Sequence, residues 1–330
     1  MTAADPLRHR LPAAVLVLIA ATLLPILGPG SWVNTAIITL LFAYLCLSWN
    51  IVGGIAGQFC IGHSLFVAAG AYTSTLLSLT FGVTPWIGMF AGGAVAALMG
   101  VGIAWLSLRY ELPPLSFALV TLALGMLGYL LASTLDVLGA SRGLSLPIRG
   151  TPAMYQFRSD STYYYVILAH LAAVLLFTIA VYDSRLGLYL RGVRDNERAS
   201  LGVGIHVLRY KMAAMGISAF FTALGGTFYA QYLQFVEPHT FAGLTLVIEV
   251  ILFTVVGGSG TIWGPLVGPL LLVPLGEALR SNLGDQTPGL HLFVYGVLLV
   301  AVIRFAPQGL VGLAGQVKSR IHIVLGRVTP

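Results

Sequence analysis

Long apolar runs fill most of the chain, and short polar or glycine-rich interruptions divide them. The runs lie at about 11–27, 32–52, 64–80, 86–108, 115–135, 163–181, 212–233, 241–256, 266–279 and 289–303. A membrane-crossing helix needs about 20 apolar residues, so the pattern predicts roughly ten spans. The fold class expected is an all-α polytopic integral membrane protein, one transmembrane domain over 1–330. Arg8 and Arg10 precede the first run and place the N-terminus in the cytoplasm. No small-x-small cleavage site closes that run and more spans follow, so 11–27 reads as an uncleaved first helix. Parity then puts the hydrophilic interval 136–162 outside, although it carries Arg142, Arg149 and Arg158 against the positive-inside rule. Lys318, Arg320 and Arg327 keep the tail, 314–330, in the cytoplasm.

Composition agrees with the pattern. The 330 residues are 58% hydrophobic and 8% charged, against roughly 25% charged in soluble domains. The 39 glycines suit helices that approach closely in lipid. The net charge of +6 reads as membrane topology, because no long basic run or basic face points to nucleic acid. Cys46 and Cys60 lie in apolar surroundings and imply neither a disulfide framework nor a metal site. No paired His, nucleophile–base pair or metal cluster supports an enzyme or a cofactor. Nor is there a nucleotide loop: at Lys318-Ser319, Val317 stands where the loop requires glycine.

Three interruptions stand out. The first, 185–211, is a dense polar island with Arg185, Arg191, Arg194, Asp195, Glu197, Arg198, Arg209 and Lys211. Asp195 is a good N-cap, Glu197 suits the first turn of a helix, and Gly202 or Gly204 can end it in a left-handed conformation. A short helix of about two turns between two spans is expected, either as a solvated loop or as a docking element. The second interruption is Gly53-Gly54-Ile55-Ala56-Gly57-Gln58-Phe59-Cys60-Ile61-Gly62-His63-Ser64. Non-helical backbone at membrane depth needs protein or a water-filled cavity around it. Gly53 and Gly57 also make a small-xxx-small pair, so close packing and a translocation path both account for this break. The third is Gly257-Gly258-Ser259-Gly260, closed by Gly264-Pro265. Two intramembrane ionisable residues, His170 and Glu249, lie in separate runs. Glu249 must face a cavity, find a partner or be protonated.

Several of these segments resemble permease subunits of branched-chain amino-acid ABC importers, of the LivM type. Arg194, Glu197, Ala199, Gly204, Ile205, Arg209 and Lys211 fall on that family's loop pattern, with Ser200 in place of a second alanine. Gly53, Gly54, Gly62-His63 and Gly70-Ala71-Tyr72 resemble its first signature, Gly257-Gly258-x-Gly260 with Gly264-Pro265 its second, and Pro307-Gln308-Gly309-Leu310 its C-terminal ending. The chain departs from it at Gly139-Ala140-Ser141-Arg142-Gly143-Leu144, where a glycine pair is lost. The resemblance implies that 185–211 is a cytoplasmic coupling helix docking on an ATPase, with Arg194, Asp195, Glu197, Ala199, Ser200 and Gly204 as coupling residues. It further implies ATPase subunits, a second related permease subunit, an extracytoplasmic substrate-binding protein, and branched-chain or other apolar amino acids as substrate. Candidates for the translocation path are Gly53, Gly54, Gly57, Gln58, His63, Ser64, Glu249, Gly257, Gly258 and Gly260. Amide or urea importers of the same kind are an alternative, and an ion-coupled secondary transporter using Glu249 and His170 is another.

Overall fold

The computed structural model describes residues 30–110, 112–148, 150–283 and 309–313 continuously, with isolated positions between 12 and 22 and between 296 and 304. The expected tenth span (289–303) and tail (314–330) lie outside the continuously described residues, as does most of the first span (11–27). Among the described residues, seven helices are long and apolar enough to cross a membrane.

Helix α1 (Gly30–Asn50) runs on through a π-helical turn, Ile51–Ile55. Over Trp32–Ile55 it is 78% buried, the most enclosed of the seven. Helices α5 (Asp160–Asp183), α8 (Val207–Leu233), α10 (Leu244–Gly257) and α11 (Gly264–Leu283) surround it. Its polar side chains tie it to them: the Tyr44 hydroxyl donates to the Phe221 carbonyl (2.7 Å), and Ser218 Oγ of α8 donates to the Ser48 carbonyl (2.6 Å).

Helices α2 (Ser64–Phe81) and α3 (Pro85–Arg109) pack on α8 through small residues. A methyl group added at Gly70 would overlap the Ala223 backbone, and one at Gly226 the Val67 backbone. Without a hydrophobic drive between helices in lipid, such backbone approach is what gains packing energy. Thr227 Oγ1 closes the seam by donating to the Gly70 carbonyl (3.1 Å). Helix α4 (Pro114–Thr134) begins on a proline, which suits a first helical position. It is only 28% buried and lies at the bundle's edge.

The segment between α4 and α5 is ordered by two devices. Strand β1 (Leu144–Ser145) pairs antiparallel with β2 (Phe235–Val236), which follows α8. Tyr155, in a left-handed conformation (φ 58°), is fully buried. Its ring lies 4.0 Å from that of Trp86 and its hydroxyl 3.5 Å from His170 Nε2. His170 Nδ1 meets the Val166 carbonyl at 2.8 Å. His170 is therefore a satisfied group of the bundle.

The polar island differs from the expected single helix. It forms α6 (Arg185–Asp195), a kink, and α7 (Glu197–Gly202). Asp195 does not cap α7: it ends α6 and pairs with Arg194 (3.1 Å). Asn196 is the cap, its Oδ1 accepting from the Ala199 amide (3.0 Å). The reason is one of register: with Asn at 196, a cap and Glu197 in the first turn fit together, whereas a cap at 195 would place Asn196 inside the first turn. Gly204 is left-handed (φ 84°), as expected of the residue that turns the chain into α8. The chain then passes from α8 through β2 and a short α9 (Pro238–Ala242) to α10.

Candidate functional site

The turn that ends α1 is built around glycine. In the π-turn, Ala56 N–H donates to the Ile51 carbonyl (3.1 Å), and the Gln58 amide donates to that of Val52 (2.9 Å). Gly53 and Gly54 thus remain helical, and the irregular backbone is confined to 56–63. Gly53 is needed because the Trp49 indole lies over it, where a Cβ would overlap the ring. Trp49 Nε1 in turn donates to the Cys60 carbonyl (2.8 Å), closing the irregular stretch onto the helix it leaves. π-turns of this kind are frequent at functional sites.

Asn50 is the residue that sequence reasoning missed. It is fully buried, and its amide reads the second glycine turn with both ends. Oδ1 accepts from the Gly260 N–H (2.8 Å), and Nδ2 donates to the Thr261 carbonyl (2.8 Å). Gly258 (φ 124°) and Gly260 (φ 76°) hold that turn in conformations reserved for glycine. Thr261 Oγ1 braces it, donating to the Gly258 carbonyl (2.7 Å) and accepting from the Gly264 amide (2.9 Å). Gly309, from the C-terminal motif, lies against Gly258 so closely that a side chain there would overlap its backbone.

Arg194 completes the junction. Its Nη1 donates to the Gly54 carbonyl (3.0 Å), and its stem lies against Gly57. The same Nη1 lies over Gly260, where an added Cβ would stand 2.6 Å from it. Gly54, Gly57, Gly260 and Arg194 therefore meet at one place, with Asn50 beneath them. Sequence positions from both glycine interruptions and from the polar island converge there. A signal for Asn50 was present: it is an amide at the end of an apolar run, directly before the glycine pair.

The remaining candidates lie elsewhere. His63 is buried, and its Nε2 meets Thr222 Oγ1 (2.8 Å) and Ser218 Oγ (3.2 Å), joining the break to α8. Ser64 Oγ donates to the Ala242 carbonyl of α9 (3.2 Å). Both act as clamps. Gly257 packs against the Gly264 backbone. Gln58 is buried, and its Oε1 has no hydrogen-bond partner among the described residues. Glu249, on α10, is half-buried.

On α7, Glu197 bonds Lys211 Nζ of α8 (2.6 Å). Arg198 and Ala199 are exposed, as are Leu201 (57%) and Val203 (77%) just beyond. Ser200, expected among the coupling residues, is buried, its Oγ donating to the Asn196 carbonyl (2.9 Å). The exposed side of α7 thus carries the small Ala199 and the apolar Leu201 beside the charges of Glu197 and Arg198.

The profile of a family described as branched-chain amino acid transport system / permease component matches residues 31–303. The high-affinity branched-chain amino acid transport system permease protein LivM of Escherichia coli is 28% identical, over 90% of this chain and 73% of its own length. Ribose import permease protein RbsC of Haemophilus influenzae is 31% identical over 39% of this chain and 42% of its own. Guanosine ABC transporter permease protein NupQ of Bacillus subtilis is 27% identical over 54% and 60%. No solved structure is a significant match. With its seven described spans and a family match over most of its length, the chain belongs to the family of permease components of branched-chain amino acid transport systems.

Proposed function

We propose that this permease carries branched-chain or related apolar amino acids, and that separate ATPase subunits drive it by gripping α7 on the cytoplasmic side. The observation that carries this reading is the Arg194 junction, because it gives the α6–α7 segment a direct mechanical link to both glycine turns. A displacement of α7 moves Arg194, and Arg194 holds the backbone where α1 turns and where α10 meets α11. Helix ends with irregular backbone supply the carbonyl and N–H groups that line substrate paths in such bundles. Importers of this kind also use a second related permease and an extracytoplasmic binding protein, with substrate passing between the two permeases. The choice of amino acids rests on relatives that align over 90% of the chain, against 39% and 54% for the ribose and guanosine permeases.

The exposed, small face of α7 supplies the test. Ala199→Trp places a bulky ring on that face without touching the Arg194 junction. Co-purification of the ATPase with the permease should fall by about tenfold or more, the loss expected when a close-packed interface is wedged open by one large side chain. Undiminished assembly with the tryptophan variant would show that α7 is not the docking element.

Orientation is tested separately, with Cys46 and Cys60 first replaced. In intact cells an impermeant thiol reagent should label Ser159→Cys and leave Val203→Cys unlabelled until the membrane is opened. Both positions are exposed in the structure, so the reverse pattern would invert the topology.

A further inference from the structure

A cleft of about 510 Å³ opens beside the Arg194 junction, between α7, the start of α8, the Gly57–Phe59 backbone and the chain entering α4. Phe59, Leu112, Phe117 and Leu201 give it apolar walls. Its polar groups are few: Gln58, Arg198 and the Lys211–Glu197 pair. Two of these are built in rather than displayed. Gln58 is 5% exposed, and its Oε1 lacks a partner among the described residues. The Lys211 side chain is 12% exposed. Buried amide oxygens in native proteins are nearly always satisfied; this one is enclosed in the wall of the cleft, and a turn of the Gln58 side chain toward the void would give it a donor. Cationic groups at Arg198 and Lys211 mark a place for an anion. A volume in the range of about 300–1,000 Å³, apolar walls and a few convergent polar groups are the features of small-molecule sites.

We propose that this cleft binds a free α-amino acid with an apolar side chain, and that the bound carboxylate competes with Glu197 for Lys211. This rests on the reading above that the permease carries such amino acids and that α7 is its docking element. The ligand's ammonium group draws the Gln58 amide round into the cleft and donates to its Oε1, its carboxylate meets Arg198 and Lys211, and its side chain lies against Phe59, Leu112 and Phe117. A ligand that draws Lys211 away from Glu197 releases the ion pair fastening α7 to α8. Occupancy and docking of α7 are thereby coupled: transported product that accumulates in the cytoplasm loosens the element on which the ATPase pulls.

The test is equilibrium binding of radiolabelled L-leucine, L-isoleucine and L-valine to the full-length chain in lipid nanodiscs, with D-ribose and guanosine as competitors. Wild type should bind at least one of the amino acids saturably, with neither competitor displacing it. Gln58→Leu should weaken binding by about tenfold or more, the effect of losing one charge-assisted hydrogen bond. Leu112→Trp, which fills the cleft from its rim, should do the same without altering the buried amide. Glu197→Gln removes the competing carboxylate and should tighten binding several-fold, a gain that a merely structural role for Glu197 would not produce. Absence of saturable binding in wild type, wild-type affinity in both cleft variants, displacement by ribose or guanosine, or weakened binding in Glu197→Gln would each overturn the proposal. Impaired ATPase assembly in Ala199→Trp alongside any of these results would leave the functional reading standing and sink this one alone.

Discussion

Asn50→Leu is expected to destabilise the folded permease more than any other single change at the junction. Leucine is close to asparagine in shape, so the site stays filled and the effect isolates the hydrogen bonds. The substitution strands the Gly260 N–H and the Thr261 carbonyl, both of which now bond Asn50 at 2.8 Å. An orphaned buried group costs about 1–3 kcal/mol; the Gly260 N–H incurs that in full and the part-buried Thr261 carbonyl less, so the pair amounts to roughly 1–4 kcal/mol. Gly260 is buried, and water has no easy entry to replace the missing partner. The damage falls on the bonds that join the end of α1 to the loop between α10 and α11, so those two turns separate. Thermal unfolding in detergent, followed by the loss of the monodisperse peak, should shift to clearly lower temperature, and uptake should be lost with it. An Asn50→Leu protein that melts and transports like wild type would mean that the glycine turns do not depend on this amide.

Arg194→Leu is expected to separate assembly from transport. The guanidinium bond to the Gly54 carbonyl is charge-assisted, a class worth about 1.5–3 kcal/mol, but the side chain is a third exposed and water recovers part of it. Stability should therefore change little. The mechanical link is a different matter, since Leu cannot hold the Gly54 carbonyl. The ATPase should still co-purify through α7, while substrate-stimulated ATP hydrolysis and uptake fall by about tenfold or more, because groups that must be positioned for turnover tolerate little displacement. Arg194→Lys should recover only part, because a lysine offers one point charge and cannot hold the Gly54 carbonyl with one arm while pairing Asp195 with the others. Uptake at the wild-type rate in Arg194→Leu would remove the junction from the transport mechanism.

The helical runs were legible because lipid-length apolar segments leave few alternatives: the expected boundaries at 86–108 and 115–135 differ from α3 and α4 by a residue at most. Glycine positions were legible as breaks but not as a shape. Gly53 and Gly54 promised non-helical backbone, and the structure keeps both helical in a widened turn, with Trp49 packed over Gly53 and Asn50 and Gly260 against Gly54. Asp195 misled for a local reason: it and Asn196 have similar capping propensity, and only the register of α6 decides between them. Asn50 was illegible as a site because its partners lie 210 and 211 residues away, and no periodicity carries such a pairing. The same holds for Arg194, whose partner Gly54 is 140 residues distant. The parts of the junction were each visible in the sequence; that they meet is a tertiary fact.

The two-residue sheet at the opposite end carries a consequence for biogenesis. Leu144 pairs with Val236, and the Leu146 amide donates to the Gln234 carbonyl (3.0 Å), so the segment after α4 takes its shape from residues that follow α8. A chain emerging from the ribosome reaches α5 long before it reaches that partner. During this interval Tyr155 lacks Phe228 of α8 as a wall of its aromatic nest, and β1 is an unpaired edge. The segment can remain a slack tether until α8 has been inserted, and is locked only then. Its closure is therefore expected to come late in synthesis: chains halted before residue 236 should present 136–159 to a protease, and chains that pass it should not.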